Sequence, residues 1–186
     1  MKAALIAIPA LAVLALAAGG EFFAARGKLA AEREAVDAAW SGAEEALERR
    51  AALIPELAEL VKGFAPRDEK IFARTADAGA ALVRGRAPRE KIIANERLSG
   101  ALSSLLVLAE NYPALESNSN FKRLEHELAG AENNIAVERR KYNELLERYN
   151  TSLQIFPDNL VARLAGFAYN GAYLSTGPGP DSGLRF

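Results

Sequence analysis

Residues 121–156 read FKRLEHELAGAENNIAVERRKYNELLERYNTSLQIF, and they carry the most regular pattern in the chain. Apolar residues recur at alternating steps of three and four, which is the spacing of one face of an α-helix. The stripe consists of Phe121, Leu124, Leu128, Ala131, Ile135, Glu138, Tyr142, Leu145, Tyr149, Ser152 and Phe156. We predict one long helix that begins at the capping cluster 117–120 and ends at Pro157.

A second stripe of the same spacing lies upstream. It consists of Val36, Trp40, Ala43, Leu47, Arg50, Ile54, Leu57, Val61 and Phe64. Gly63 and Pro66 end this helix. Arg50 is the charged midpoint of this stripe, as Glu138 is of the other. If the two helices pack antiparallel at matching levels, we expect a buried or half-buried Arg50–Glu138 ion pair. We favour a pair that fixes helix register over a ligand or proton site.

The rest of the chain predicts more helices with short connections. Two helices are expected over 67–84 and 88–111, and a short one over 159–174. Short connections make neighbouring helices antiparallel, so we predict an all-α fold: an N-terminal transmembrane helix, an antiparallel four-helix bundle and a short C-terminal helix. The predicted domains are 1–24 (membrane helix), 25–174 (helical domain) and 175–186 (disordered tail).

Residues 3–20 carry no charged side chain. As a helix this run is ~27 Å long, close to the ~30 Å thickness of the hydrocarbon core of a bilayer. We therefore predict that it contacts membrane lipid and makes the protein a single-pass protein of the inner cell membrane. The alternative is a signal peptide, which would be cleaved.

Charges near the predicted span give its orientation. Lys2 precedes the span, whereas Arg26, Lys28 and Arg33 follow it, which favours a cytoplasmic helical domain. The alternative is that Lys2 belongs to a signal anchor, which gives the opposite orientation. If the C-terminal helix returns to the membrane side, its apolar side chains would lie in the interface. The predicted interface residues are Phe22, Phe23, Leu164, Phe167 and Tyr173. The alternative is that this segment folds back and caps the core.

Composition excludes several kinds of chemistry. The 186 residues include no cysteine and one histidine, His126, and the net charge is −1. Thiolate metal sites and cysteine nucleophiles are therefore excluded, and nucleic acid is not an expected partner. A carboxylate-bridged di-metal site needs paired Glu-x-x-His motifs, which the chain lacks. We expect no catalytic, cofactor-binding or metal-binding residues, and no enzyme activity.

Two smaller polar features stand out. Tyr142-Asn143 and Tyr149-Asn150 repeat after seven residues. We expect the tyrosines to be core residues with hydrogen-bonded hydroxyls, and the asparagines to cap nearby polar groups rather than bind a partner. A basic cluster near the second turn consists of Arg84, Arg86, Arg89 and Lys91. We expect it to be a solvated loop rather than a contact with anionic lipid or an acidic partner.

Several motifs in one order make the chain resemble the LemA family. They are Arg49-Arg50-Ala51-Ala52-Leu53-Ile54-Pro55-Glu56-Leu57, Val61-Lys62-Gly63-Phe64-Ala65, Glu110-Asn111-Tyr112-Pro113-Ala114-Leu115, Asn120-Phe121-Lys122-Arg123-Leu124, Glu132-Asn133-Asn134-Ile135-Ala136, Arg139-Arg140, Tyr142-Asn143, Tyr149-Asn150 and Phe156-Pro157. One departure is Asp68-Glu69, where the family pattern has His-Glu.

The resemblance implies a membrane-anchored four-helix domain inside the cell, with a short N-terminus outside. One branch of the family is associated with formation of the magnetosome membrane. We expect a non-enzymatic scaffold or protein-interaction module in membrane or envelope organisation, with an unidentified protein partner or a second copy of itself. The alternatives are a membrane-biogenesis factor of the magnetosome kind, or a secreted or periplasmic binding module if the N-terminus is cleaved.

Overall fold

The computed structural model describes the backbone of residues 2–65 and 68–175, and the side chains of residue 16 and of residues 19 onward within those ranges. All regular secondary structure in these ranges is helical, which confirms the predicted all-α class. The helices are α1 Lys2–Phe64, α2 Glu69–Arg84, α3 Pro88–Ala109, α4 Pro113–Glu116, α5 Ser119–Ser152 and α6 Asp158–Ala165.

Helix ends fall at capping and breaking residues. Pro88 opens α3, where a missing N–H costs nothing. The Asn118 side-chain oxygen accepts the backbone N–H groups of Asn120 at 2.9 Å and Phe121 at 3.3 Å, which caps the start of α5. The N–H of Gly85 closes α2 on the Ala81 carbonyl at 3.0 Å.

The chain divides into two compact units. The larger unit comprises Ala39–Asn143 with Ala172–Phe186, and the smaller comprises Met1–Ala38 with Glu144–Gly171. In the larger unit the predicted stripe of α1 is buried at Ala43, Leu47, Arg50, Ile54, Leu57 and Val61. The stripe of α5 is buried at Phe121, Leu124, Leu128, Ile135 and Tyr142. The periodicity therefore identified the core of this unit.

Contacts within the larger unit show that α1 and α5 are antiparallel. Near one end, the rings of Trp40 and Tyr142 meet edge to face with centroids 5.3 Å apart. Farther along α1, Glu56 accepts a hydrogen bond of 2.5 Å from Arg123, which lies earlier on α5. In the same unit α2 packs against α3, and a Cβ added to Gly79 of α2 would lie 3.4 Å from Ile54 of α1.

One helix of the described residues, α3, is long and apolar enough to cross a membrane. Its residues Leu98, Leu102 and Leu105 are buried inside the protein. That burial is typical of a core helix, so we assign α3 to the core of the larger unit.

The smaller unit has its own apolar cluster. Ala25 and Leu29 of α1 are buried together with Val161 and Ala162 of α6. Three half-buried side chains pack against this cluster: Phe22, Leu153 and Phe167. The Lys28 ammonium donates to the Asp158 carboxylate at 2.6 Å, where α6 begins.

The predicted length of the C-terminal helix is wrong. The helix ends at Ala165 instead of residue 174, because Gly166 takes a left-handed conformation with φ of 77° and stops it. Residues 167–175 are not helical. The predicted disordered tail overlaps the structure only at Ser175, and its other residues lie outside the described ranges.

Candidate functional site

Among the described residues of the larger unit, Arg50 is the most buried charged residue. Its side chain is 2% exposed, and one guanidinium nitrogen, Nη1, donates to Asn95 Oδ1 at 2.8 Å and to Ser99 Oγ at 3.0 Å, both on α3. The other, Nη2, forms an ion pair with Glu132 of α5. One planar side chain of α1 thus connects to two other helices, as the fork geometry of arginine allows.

Burial lowers the pKa of the Arg50 guanidinium, and the charge and hydrogen bond of Glu132 offset part of that shift. The Nε atom of Arg50 has no hydrogen-bond partner among the described residues. The group stays charged because the ordinary arginine pKa lies far above neutrality. The contribution of Arg50 to the free energy of folding therefore depends on how well the polar atoms around it are paired.

The predicted Arg50–Glu138 pair is wrong in its second member. Glu138 is half-buried, and within the described residues it forms an ion pair with Lys141 on its own helix, at 3.7 Å. A Cβ added to Gly42 would lie 2.8 Å from Glu138 Oε2, so this carboxylate faces α1 about two helical turns before Arg50. The sequence argument aligned the midpoints of the two stripes, and that alignment is off by about one heptad.

A second buried cation was missed by the sequence argument. Lys91 of α3 is 3% exposed and forms ion pairs with Glu44 at 2.7 Å and Glu48 at 2.6 Å, both on α1. Burial would lower the pKa of Lys91, but its hydrogen bonds to the two carboxylates outweigh burial and raise that pKa. The prediction of a solvated basic loop is therefore wrong at this residue.

Glu44 and Glu48 could have signalled this contact, because they lie one turn apart on the same helix. Arg50 joins α1 to α3 through hydrogen bonds, and Lys91 joins the same two helices through ion pairs. These contacts are consistent with the register role that the sequence suggested for Arg50.

Two tyrosines and two asparagines of α5 bond to the backbone of the non-helical C-terminal segment. In the smaller unit the Tyr149 hydroxyl donates to the Ala168 carbonyl at 3.1 Å. The Asn150 amide donates to the Asn170 carbonyl at 2.7 Å and accepts the Asn170 N–H at 3.0 Å. Burial raises the pKa of the Tyr149 hydroxyl, which keeps it a donor.

The larger unit contains the same arrangement. The Tyr142 hydroxyl donates to the Ala172 carbonyl at 2.9 Å. The Asn143 amide donates to the Leu174 carbonyl at 2.8 Å and accepts the Leu174 N–H at 3.0 Å. The prediction of buried tyrosines with bonded hydroxyls is confirmed. The asparagines do satisfy neighbouring polar groups, but those groups belong to a distant part of the chain.

The residues proposed for a membrane interface divide between exposed and half-buried positions. Phe23 is 70% exposed and Leu164 is 78% exposed, both in the smaller unit. Phe22 and Phe167 are half-buried against the apolar cluster of that unit. Tyr173 is half-buried in the larger unit and lies outside any helix. The C-terminal residues thus contribute to packing through Phe167 and leave the apolar side chain of Leu164 exposed.

A shallow open groove of about 570 Å³ runs along the larger unit between α1 and α5. Its lining includes the small residues Ala46, Gly130 and Ala131 and the amides Asn133 and Asn134. His126 is exposed on α5. Within the described residues, no group of three His, Cys, Asp or Glu side chains is placed to hold a metal ion.

Comparisons with known proteins cover most of the chain. Residues 39–178 match the model of the LemA family. The chain is similar to the Magnetosome protein MamQ of Magnetospirillum gryphiswaldense, with 24% identity over 147 residues that cover 65% of this chain and 54% of the relative. It is also similar to Magnetosome proteins MamQ 1 and MamQ 2 of Paramagnetospirillum magneticum, each with 33% identity over 67 residues, 36% of this chain and 25% of the relative. The chain spans between a quarter and about half of the length of these curated relatives.

Proposed function

Because the chain belongs to the LemA family, we propose that it is a membrane-anchored, non-enzymatic helical protein that acts as a scaffold or protein-interaction module in membrane or envelope organisation. One observation carries the anchoring. The uncharged run 3–20 lies in the same helix, α1, that carries Arg50 into the core of the larger unit. A helix that starts in lipid and continues into the folded domain would hold that domain at the membrane surface.

The buried ionic groups support a non-enzymatic role. Arg50 and Lys91 are paired with carboxylates and amides of the protein itself, and these pairs join helices. A catalytic charge instead faces a cleft where a substrate can reach it. The contacts among α1, α2, α3 and α5 further support the proposal that residues 39–143 form an antiparallel four-helix bundle.

The anchoring is tested by alkaline extraction of isolated membranes. We expect the protein to stay in the membrane pellet. The double variant Leu11→Lys/Leu14→Lys should move it to the soluble fraction, since each charge at the bilayer centre costs about 2.5–3.5 kcal/mol. Leu164→Lys is the matched control, because Leu164 is already 78% exposed, and it should stay in the pellet. Release of the unaltered protein by alkali would refute the anchor.

A narrower candidate is a part in forming an internal membrane compartment. The likeness to one magnetosome protein over 65% of this chain favours it. A fluorescent fusion separates the two candidates. Signal at internal vesicles supports this narrower role, whereas an even signal along the cell envelope supports the general scaffold.

A further inference from the structure

Exposed apolar side chains concentrate in the smaller unit. Seven of the eleven large apolar side chains that are exposed within the described residues belong to it, and the other four are spread over α2, α3 and α5 of the larger unit. Three of the seven, Ile155, Phe156 and Leu160, lie within six residues of one another, and we call them the apolar tip. Clustered apolar side chains on a surface mark an interaction site, whereas single ones do not.

The apolar tip follows the end of α5. Ile155 is 57% exposed and Phe156 is 73% exposed, and both lie in the turn between α5 and α6. Leu160 lies on the face of α6 opposite the buried Ala162, so it also points away from the core of this unit. The tip is therefore a surface that the smaller unit itself leaves uncovered.

Contacts within the smaller unit place the apolar tip on the side of the uncharged run of α1. Arg148 of α5 lies 3.7 Å from Glu32 of α1 in an ion pair. Five residues later, Leu153 packs against a cluster that contains Ala25 and Leu29. As the chain proceeds along α5, its partners thus move back along α1. The two helices are antiparallel here, and α5 ends where α1 emerges from its uncharged run.

The height of the tip above that run follows from the rise of α1. At ~1.5 Å per residue, Ala25 lies ~7 Å beyond residue 20, the last residue of the run. The headgroup layer on each side of a bilayer is about 5–8 Å thick. With the run 3–20 in the hydrocarbon core, the cluster around Ala25 lies at the level of the headgroups. Leu153 packs against that cluster, and the apolar tip comes next in the chain.

Ion pairs neutralise two of the cations near the tip. Lys28 donates to Asp158 at 2.6 Å, and Arg148 is paired with Glu32. Neighbouring opposite charges largely cancel for a more distant charge, so these groups attract anionic headgroups only weakly. Contact between the tip and lipid would therefore depend on burial of apolar surface and would not require anionic lipid.

We propose that the apolar tip inserts into the headgroup layer of the bilayer that α1 spans, as a second lipid contact beside the span. This inference rests on the proposed membrane anchor. It assigns a lipid surface as the partner of three side chains that lie outside the interface predicted from the sequence. Phe23, which is exposed on α1 at a similar height, belongs to the same contact. Two lipid contacts fix the orientation of the smaller unit on the membrane, which a single span does not.

Lipid contact is measured with a fluorescent label on one introduced cysteine, since the chain has none of its own. The full-length protein is reconstituted in vesicles of neutral phosphatidylcholine and labelled with an environment-sensitive dye. Phe156→Cys reports on the tip, and Leu11→Cys reports on the anchor. Glu147→Cys is the matched control, because Glu147 is exposed on α5 nine residues before Phe156. Lipids with a nitroxide near the headgroup or deep in the acyl chain serve as quenchers.

The proposal predicts a different response at each position. The label at residue 156 should emit at a shorter wavelength than the label at 147, and the shallow nitroxide should quench it more than the deep one. The label at 147 should respond as it does in water, and the label at 11 should be quenched most by the deep nitroxide. Added salt should change none of these results. Ile155→Cys should behave as Phe156→Cys does, and it serves if the latter disturbs folding.

Two results would overturn the tip contact while the anchor stands, as shown by quenching at residue 11. In one, the label at 156 responds as it does in water. In the other, its emission is shifted but no nitroxide lipid quenches it, which means that protein, a second copy included, covers the tip. Absence of quenching at residue 11 would instead refute the anchor, and the argument for the height of the tip would fall with it.

Discussion

Replacing Glu132 and Glu138 separately by glutamine tests which carboxylate neutralises the buried arginine. Both residues lie on α5, and the substitution removes a charge while it preserves shape. Glu132 forms the ion pair with Arg50, whereas Glu138 Oε2 is buried and accepts no hydrogen bond within the described residues. Glu132→Gln should therefore destabilise the fold, and Glu138→Gln should not.

The size of the effect follows from exposure. Removing one partner of a fully buried pair costs about 3–5 kcal/mol, and removing one of an exposed pair costs about 0–1 kcal/mol. Arg50 is 2% exposed but the Glu132 side chain is 40% exposed. Solvent therefore screens one half of the pair, and Arg50 keeps its bonds to Asn95 and Ser99. We expect a loss of about 2 kcal/mol for Glu132→Gln, and a change within about 0.5 kcal/mol for Glu138→Gln.

Circular dichroism of the full chain in detergent measures the difference. A loss of about 2 kcal/mol lowers the melting temperature of a chain of this size by about 4–8 °C. The two variants share one helix and one chemistry, so unspecific effects of the detergent cancel between them. Equal melting temperatures for both variants, or a lower one for Glu138→Gln, would refute the assignment of the pair.

Three further predictions concern stability. The raised pKa of Lys91 means that the folded state holds the ammonium proton more tightly than the unfolded state does. The stabilisation by this group is therefore complete below the unfolded pKa of about 10.4 and is lost as pH rises through the folded pKa. The melting temperature should fall above about pH 10, and it should fall less steeply in Lys91→Met. Glu90 has a lowered pKa because it accepts backbone N–H groups before α3, so the melting temperature of Glu90→Gln should lie below that of the parent at pH 7, and the gap should close as pH falls below about 4; a gap that stays constant with pH would contradict this. Leu174→Ala should cost about 2 kcal/mol in urea unfolding, whereas Leu164→Ala, at a residue that is 78% exposed, should stay within about 0.5 kcal/mol, and equal losses would contradict the burial of the segment.

The helices were predictable because their signals are local. The spacing of apolar residues identified the buried faces of α1 and α5, and Gly and Pro marked the ends of α1 to α3. A packed stripe of side chains is a property of one helix. It can therefore be read from one stretch of sequence without knowledge of the neighbouring helices.

The partner of Arg50 could not be predicted because it depends on the alignment of two helices. Heptad stripes look alike after a shift of seven residues, so many alignments bury the same apolar surface. Glu132, which lies beside the stripe instead of on it, pairs with Arg50 because a long guanidinium reaches sideways. Lys91 was missed for the same reason, since its two glutamates belong to another helix.

The C-terminal segment was mispredicted because its apolar residues fit a helix pattern. Its conformation is instead set by Gly166 and by the side chains of Tyr142, Asn143, Tyr149 and Asn150. Those residues were noticed for their seven-residue repeat, yet their partners lie about twenty to thirty residues away. This seven-residue repeat was the sequence signal that α5 contacts two successive stretches of the same backbone.

The membrane anchor is tested most directly by labelling a cysteine introduced at Gly177 and measuring the mass of the labelled protein. Spheroplasts are exposed to a membrane-impermeant maleimide. The labelled protein is then isolated, and its intact mass is measured by mass spectrometry. The account predicts a full-length mass and a cysteine that reacts only after lysis, with the helical domain in the cytoplasm. Labelling before lysis of a protein that lacks its first ~20 residues would mean a cleaved signal peptide and would contradict the membrane anchor.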